Sequence, residues 1–313
     1  MAKTVVATAF GGPEVLTVLD EPVPAPGPGQ VQVRLRAIGV NPYDYKSYSG
    51  AFGVDPAQLP VRPGIEGAGV VVAVGDDATG PTGPIAVGDE VIVNPGGRAY
   101  TELITVPADV TFTKPAGLPW EQAASLLSSG TTAVDALTTT RVSSGDTVLI
   151  HGAAGAVGTA TVQLAIARGA TVIGTARAAN HDALRALGAT PVEYGDGLLD
   201  RLRELAPNGV DAAIDTAGTD EAVDASLALV ADRGRIVTIV AFGRAEQDGF
   251  RAIGGGDPDS VRIRREARLE LVELAGRGGF EITVAKTFPL ADAARAHAEL
   301  QEQHPRGKFV LLP

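Results

Sequence analysis

The chain has 313 residues, 45% hydrophobic and 20% charged, a globular composition with room for about two domains. It contains no cysteine, which excludes disulfides, thiolate metal ligands and a thiol nucleophile together. Twenty-six basic against 37 acidic residues leave a net charge of −11, so there is no general attraction to nucleic acid or to an anionic membrane.

The opening Met-Ala-Lys-Thr-Val-Val-Ala lacks the apolar stretch and cleavage pattern of a secretory signal, and a soluble cytoplasmic protein is expected. Roughly the first 120 residues read as β-rich. Strands are predicted at Thr4–Phe10, Gln30–Val40, Gly67–Gly75 and Asp89–Asn94, β-branched runs bounded by Gly, Pro or Asp. Glu21–Gln30 has the composition of a loop or linker between two of them.

The pattern changes after Pro115–Leu127. Short apolar strands at Thr147–His151, Ala170–Thr175, Pro191–Tyr194, Asp211–Thr216 and Arg235–Val240 alternate with helical stretches near Val157–Arg168, Ala183–Leu187, Leu198–Leu205 and Asp220–Ala231. Unbroken apolar strands separated by helices predict an α/β unit, a parallel sheet covered on both faces. The last portion runs from Gly254–Ser260 through two helical stretches to an apolar strand at Gly307–Leu312, which need not join that sheet. The most apolar window, Ala156–Ala176, is interrupted by Arg168 and Gly169 and does not read as a membrane span. The basic run Arg262–Arg268 reads as one charged helix face on an acidic chain.

Between the first two strands of the alternating region stands Leu149–Ala165, with glycines at 152, 155 and 158. Gly152 follows a strand, and Gly155 and Gly158 open a helix. In that context the first glycine permits a tight turn and the second lets backbone approach a pyrophosphate. The third lets helix pack on strand. The helix mouth then presents free N–H groups and the positive end of its dipole to the phosphates. The loop Gly152, Ala154, Gly155, Ala156, Val157 and Gly158 is therefore expected to hold a dinucleotide. NAD sites usually carry an acidic residue at the end of the second strand. Here Ile173–His181 has none before Asp182, and Arg177 stands where a 2′-phosphate would lie. NADP(H) is the expected cofactor; the rival reading makes Arg177 a solvated surface residue.

These segments, taken with Gly39–Gly50, Pro63–Gly75, Ser128–Leu137, Arg233–Gly243 and Gly307–Leu312, resemble the zinc-free quinone oxidoreductase branch of the medium-chain dehydrogenase/reductase superfamily over nearly the whole chain. The resemblance implies a GroES-like β-rich catalytic domain at 1–120 and a Rossmann domain, a doubly wound parallel sheet binding NADP, at 121–255. A segment at 256–313 would return to the catalytic domain, the active site would lie in a cleft, and the assembly would be a homodimer. Zinc-dependent relatives carry Gly-His-Glu where this chain has Gly64-Ile65-Glu66, and they use cysteine ligands absent here. The four histidines, His151, His181, His297 and His304, have no ligand spacing, so no metal is expected. Glu66, one carboxylate without ligand partners, reads as a buried hydrogen-bonding residue.

By the same resemblance Asn41 and Asp44 match a segment lining the nicotinamide side, although Asn-Pro followed by Asp is also an ordinary helix start. Asp44 reads as a local hydrogen-bonding residue. Tyr48 replaces the usual arginine and either donates a proton or packs. Tyr43, Tyr45 and Phe52 share that ambiguity, and Lys46 reads as solvated. Thr132 matches a cofactor contact or else bonds within its own helix. Thr175 counts among the expected cofactor contacts, Tyr194 and His181 fall near the adenosine phosphate, and Val240, Ala241 and Phe242 beside the nicotinamide. Lys308 and Arg306 either close over the cofactor or are surface charges. The implied reaction is metal-free hydride transfer to a quinone or an enone, which delocalises the incoming charge itself. An enoyl-thioester reductase and a weakly catalytic NADPH-binding sensor or structural protein remain alternatives.

Overall fold

The structure, a computed structural model, describes residues 1–254, 256–302 and 306–313. His304 therefore lies outside the described residues. The chain divides into two compact units, Met1–Ser128 with Leu269–Pro313, and Ser129–Arg268.

The first part of the chain contains β1 (Ala2–Ala7), β2 (Leu16–Glu21), β3 (Gln30–Val40), α1 (Pro42–Lys46), β4 (Gly67–Val74), β5 (Thr79–Gly80), β6 (Gly83–Pro84), β7 (Glu90–Val93), β8 (Leu103–Pro107), β9 (Thr111–Thr113) and α2 (Trp120–Ala123). After α3 (Leu126–Thr139) come β10 (Thr147–His151), α4 (Ala156–Ala167), β11 (Thr171–Thr175), α5 (His181–Ala186), β12 (Thr190–Val192) and α6 (Leu198–Leu205). They are followed by β13 (Ala212–Asp215), α7 (Asp220–Leu229), β14 (Ile236–Thr238), α8 (Phe242–Asp248) and β15 (Arg251–Ala252). Helix α9 (Pro258–Gly276), β16 (Val284–Pro289), α10 (Ala293–Glu302) and β17 (Lys308–Leu312) complete the chain. Both unit divisions fall inside continuous helices, α3 and α9, and not at the turns that composition marks near 120 and 255.

The first unit is built on a sheet ordered β16-β17-β3-β4-β7-β9, with β8 also on β3. Strand β17 pairs antiparallel with β3, Val310 opposite Gly39, so the chain's last strand lies beside its third. Along β3 the side chains of Val31, Val33 and Leu35 alternate into the core, and Ala37–Val40 are buried on both faces. Those residues pack with Ile104, Val91, Val93, Phe288, Phe309 and Leu311. Strands β2 and β16 escape a reading by pattern because most of their residues are exposed, which leaves no apolar alternation.

The second unit is a six-stranded parallel sheet ordered β12-β11-β10-β13-β14-β15. Numbered from β10, that order is 3-2-1-4-5-6, the doubly wound arrangement whose ligands bind outside the carboxyl ends of the strands. Leu149, Ile173, Val192, Ala213 and Ile236 from the strands meet Leu198, Leu202 and Val223 from the helices in one core. Strand β12 ends at Val192, opposite the last residue of β11, Thr175. The predicted extension to Tyr194 therefore has no ladder partner. The basic run on α9 is a charged face: Arg262 bonds Glu266 at 3.1 Å and Arg264 bonds Asp135 at 2.8 Å.

Candidate functional site

In the second unit the glycine loop leaves β10 and enters α4. Gly152 has φ +70°, and a Cβ there would lie 2.6 Å from Thr216 Oγ1. A Cβ on Gly158 would lie 2.1 Å from the Gly152 carbonyl oxygen, so helix and loop meet backbone to backbone. Gly155 caps α4 without any side-chain hydrogen bond. The first-turn N–H groups of Ala156, Val157 and Gly158 have no intrahelical acceptor, and the dipole's positive end is open. Ala154 through Val157 are half-buried and Gly158 is buried.

After β11, the exposed Arg177 donates from Nε to Tyr194 Oη at 2.8 Å. Two of the residues expected near a 2′-phosphate are thus in contact, and no carboxylate pairs with Arg177 among the described residues. His181 Nε2 donates to the Ala176 carbonyl at 3.1 Å, fixing the turn ahead of α5. Thr175, expected among the cofactor contacts, lies under the glycine loop. Its hydroxyl is buried, accepts from Gly152 N–H at 3.2 Å and meets His151 Nδ1 at 3.3 Å, so it holds the loop from beneath. Thr132 is buried on α3. Val240 and Phe242 are exposed after β14, with Ala241 half-buried between them.

Sequence reasoning missed Asp215 and Thr238, the buried last residues of β13 and β14. Asp215 accepts from Ala217 and Gly218 N–H at 2.9 and 2.8 Å, and from the Thr238 hydroxyl at 2.7 Å. A polar residue closing an apolar strand is the one signal that could have found them.

In the first unit Asn41, expected to face substrate, is 5% exposed and its amide is fully engaged. Nδ2 donates to Glu66 Oε1 at 3.1 Å, and Oδ1 accepts from Lys308 Nζ. Lys308, expected to close over the cofactor or to be a surface charge, is buried and bonded to Glu66 Oε1 at 2.7 Å. Glu66, fully buried, also takes the Ser128 N–H at 2.8 Å. Gly39 makes the room, since a Cβ there would sit 2.7 Å from Glu66 Oε1.

Tyr48, read as a possible proton donor, is fully buried, and its hydroxyl meets His297 Nδ1 at 2.7 Å. His297 Nε2 meets Tyr100 Oη at 2.8 Å, and Tyr100 donates to Asp44 Oδ2 at 3.2 Å. That last bond fixes the direction of the chain. Tyr100 has one proton and gives it to Asp44, so it accepts from His297 Nε2–H, and Nδ1 accepts from Tyr48. Asp44 also takes the Asn41 and Gly64 N–H groups at 2.8 and 3.0 Å, so its carboxylate pins α1 to the Gly64 turn. Burial pushes Asp44 up to about 6, against the pull of those N–H groups and Lys308. Burial holds His297 down at about 4 and raises both tyrosines.

Sheet order and an uncapped helix mouth at its switch point define the class: one chain carrying a Rossmann-type dinucleotide fold and a β-rich unit. Residues 27–119 match the family described as alcohol dehydrogenase GroES-like domain, and 187–311 the one described as zinc-binding dehydrogenase. The quinone oxidoreductase of Pseudomonas aeruginosa is 36% identical over 333 residues, spanning 100% of each chain. The synaptic vesicle membrane protein VAT-1 homolog of Mus musculus is 33% identical, over 99% of this chain and 84% of its own. Among solved structures, mycobacterial Rv1454c complexed with NADPH superposes with a TM-score of 0.85 at 34% identity, covering 100% of each chain. The chain belongs to the quinone oxidoreductase branch of the medium-chain dehydrogenase/reductase superfamily. Among the described residues no helix is long and apolar enough to cross a membrane.

Two predictions follow from the buried groups of the first unit. Lys308→Met leaves the Glu66 charge uncompensated and should cost about 3–5 kcal/mol in urea denaturation, most of it recovered in Lys308→Met with Glu66→Gln. Equal losses in single and double variants would show that the pair is not an electrostatic unit. For His297, whose ordinary value is 6.5, the unfolded chain binds a proton between pH 4 and 6.5 that the folded chain does not. Its contribution is complete above pH 6.5 and is lost as the pH falls toward 4. Asp44, raised in the fold, works in the opposite direction, so wild type must be compared with His297→Gln. The stability difference should grow by about 2–3 kcal/mol from acid to neutral pH; a flat difference contradicts the assignment.

Proposed function

We propose that this chain is an NADPH-dependent oxidoreductase that passes a hydride to a quinone or α,β-unsaturated carbonyl without a metal. The observation that carries the reading is the uncapped α4 mouth behind Gly152 and Gly158, joined on the same sheet edge by the Arg177–Tyr194 pair. The residues fit the group. A Cβ at Gly152 would strike Thr216 and one at Gly158 the loop backbone, so the glycines keep the uncapped helix start against β10, where its N–H groups can meet a pyrophosphate, and the Arg177 guanidinium suits a further phosphate. The NADPH complex of the mycobacterial relative supports the same cofactor.

When bound, the reduced nicotinamide supplies a hydride. The chain's own residues grip and aim. Ala156, Val157 and Gly158 N–H groups would hold the pyrophosphate, Arg177 braced by Tyr194 would hold the 2′-phosphate, and Val240–Phe242 would line the nicotinamide side. A quinone or enone accepts hydride at one atom and spreads the charge to oxygen, so it needs positioning more than a Lewis acid. The proton then comes from solvent, because the amide of Asn41 and the hydroxyl of Tyr48 are bonded inside the unit.

The donor set speaks against zinc. Glu66 is already met by the Lys308 ammonium, Ile65 offers no ligand, and no group of three or more His, Asp or Glu side chains is placed to hold a metal among the described residues. A homodimer in the cytoplasm working on a small molecule completes the reading. A second reading, a protein that binds NADPH with little turnover, is favoured by that internal engagement of Asn41 and Tyr48.

Steady-state oxidation of NADPH with a panel of quinones and enones tests the proposal: turnover supports it, and tight binding without turnover supports the second reading. Arg177→Ala should weaken NADPH about 10–100-fold and NADH by less than about threefold; equal losses would show that Arg177 reads no phosphate. Elemental analysis should find no stoichiometric zinc, and one zinc per chain would overturn the metal-free step.

A further inference from the structure

The carboxyl edge of the six-stranded sheet carries a row of four buried polar side chains on four adjacent strands. Ile150 pairs with Gly174, which makes His151 and Thr175 neighbours; His151 is the register partner of Asp215, and Asp215 of Thr238. None of the four is more than 2% exposed. The row crosses from β10 to β13, where the strand order reverses and open α/β sheets receive their ligands.

Each end of the row rises into a loop. Thr175 Oγ1 takes the N–H of Gly152 in the glycine loop. Asp215 Oδ1 takes those of Ala217 and Gly218. Thr238 gives its only proton to Asp215 Oδ2, which turns its two lone pairs to Val240 and Ala241 N–H at 3.1 and 2.9 Å. The last two loops also touch, for a Cβ on Gly218 would meet Val240 Cγ1 at 2.4 Å. Burial holds His151 down at about 4, and its Nε2 has no hydrogen-bond partner, so the imidazole stays neutral between Thr175 and Asp215.

A doubly wound sheet consists of two mononucleotide-binding halves. Arg177 and Tyr194 follow β11 and β12, which assigns the adenosine half to that side and leaves the loops after β13 and β14 to the nicotinamide half. We infer that Asp215 and Thr238 are positioning residues that set the nicotinamide half of the bound dinucleotide, by fastening Ala217–Gly218 and Val240–Ala241 to one carboxylate–hydroxyl pair. This rests on the proposed dinucleotide site.

The test separates the halves. Dissociation constants for NADPH and for 2′,5′-ADP, which lacks the nicotinamide, are measured by calorimetry on wild type, Thr238→Val, Thr238→Ser and Asp215→Asn, with thermal midpoints alongside. Thr238→Val keeps the shape and loses the hydroxyl, and it should weaken NADPH about tenfold while leaving 2′,5′-ADP within about twofold. Thr238→Ser keeps the hydroxyl and should restore NADPH binding. Asp215→Asn retains an acceptor for Ala217 and Gly218 but turns an N–H toward Thr238, and it should give the same split if Thr238→Val fails to fold. Equal weakening of both ligands, or no weakening of either, overturns the inference while the dinucleotide site stands. Wild type binding neither ligand overturns the dinucleotide site itself.

Discussion

Backbone meets backbone where α4 leaves the glycine loop. The Gly152 carbonyl oxygen would be 2.1 Å and the Ala153 Cα 2.8 Å from any Cβ on Gly158, distances no side chain can enter. The close approach seats the first turn of α4 at the carboxyl end of β10, without a capping side chain. A serine or aspartate cap would have satisfied those N–H groups locally; a glycine cap leaves them for an anion. The orientation of the loop and the proposed cofactor both presuppose that contact.

The first unit follows the opposite economy. Its polar groups close on one another: Lys308 on Glu66 and Asn41, Tyr48 on His297, Tyr100 on Asp44. Taking an ammonium and a carboxylate out of water is costly, and the pair is tolerated because Glu66 also takes the Asn41 amide and the Ser128 N–H, and Lys308 also donates to Asn41 Oδ1. No free acid or base results from this arrangement. An acceptor that stabilises its own negative charge is the substrate such a unit suits, and this is why an electron-poor acceptor is proposed over a simple ketone.

The legible and illegible parts of the chain divide along a physical line. Gly152, Gly155 and Gly158 were readable because a tight turn and a close approach are demands of local backbone, written in neighbouring letters. Arg177 was singled out by its place after the second strand and Tyr194 by the family resemblance, and the two are in contact. Asn41, Tyr48 and Lys308 were also singled out, yet the partners that redefine them lie elsewhere: 249 residues separate Tyr48 from His297, and 242 separate Lys308 from Glu66. No local pattern encodes such a pair. Thr238 ends a strand of three residues, too short for periodicity to mark, and His297 is one polar letter on the buried side of α10 beside Ala293 and Ala296.

One rule covers three of the four buried acids among the described residues. Asp44 takes the N–H groups of Asn41 and Gly64, Glu66 that of Ser128, and Asp215 those of Ala217 and Gly218. Each spends a buried carboxylate on backbone at a turn or a helix start, where N–H groups would otherwise be orphaned. Asp135 differs, bonding Arg264 and Thr139 instead. A carboxylate accepts several such bonds at once and has no proton to misdirect, which an amide or hydroxyl cannot match. The acids that hold these turns are a small part of the net charge of −11, most of which lies outside the buried core. Asp215 alone of the three lies under loops the proposed reaction uses, and the glycine loop is held instead by the Thr175 hydroxyl.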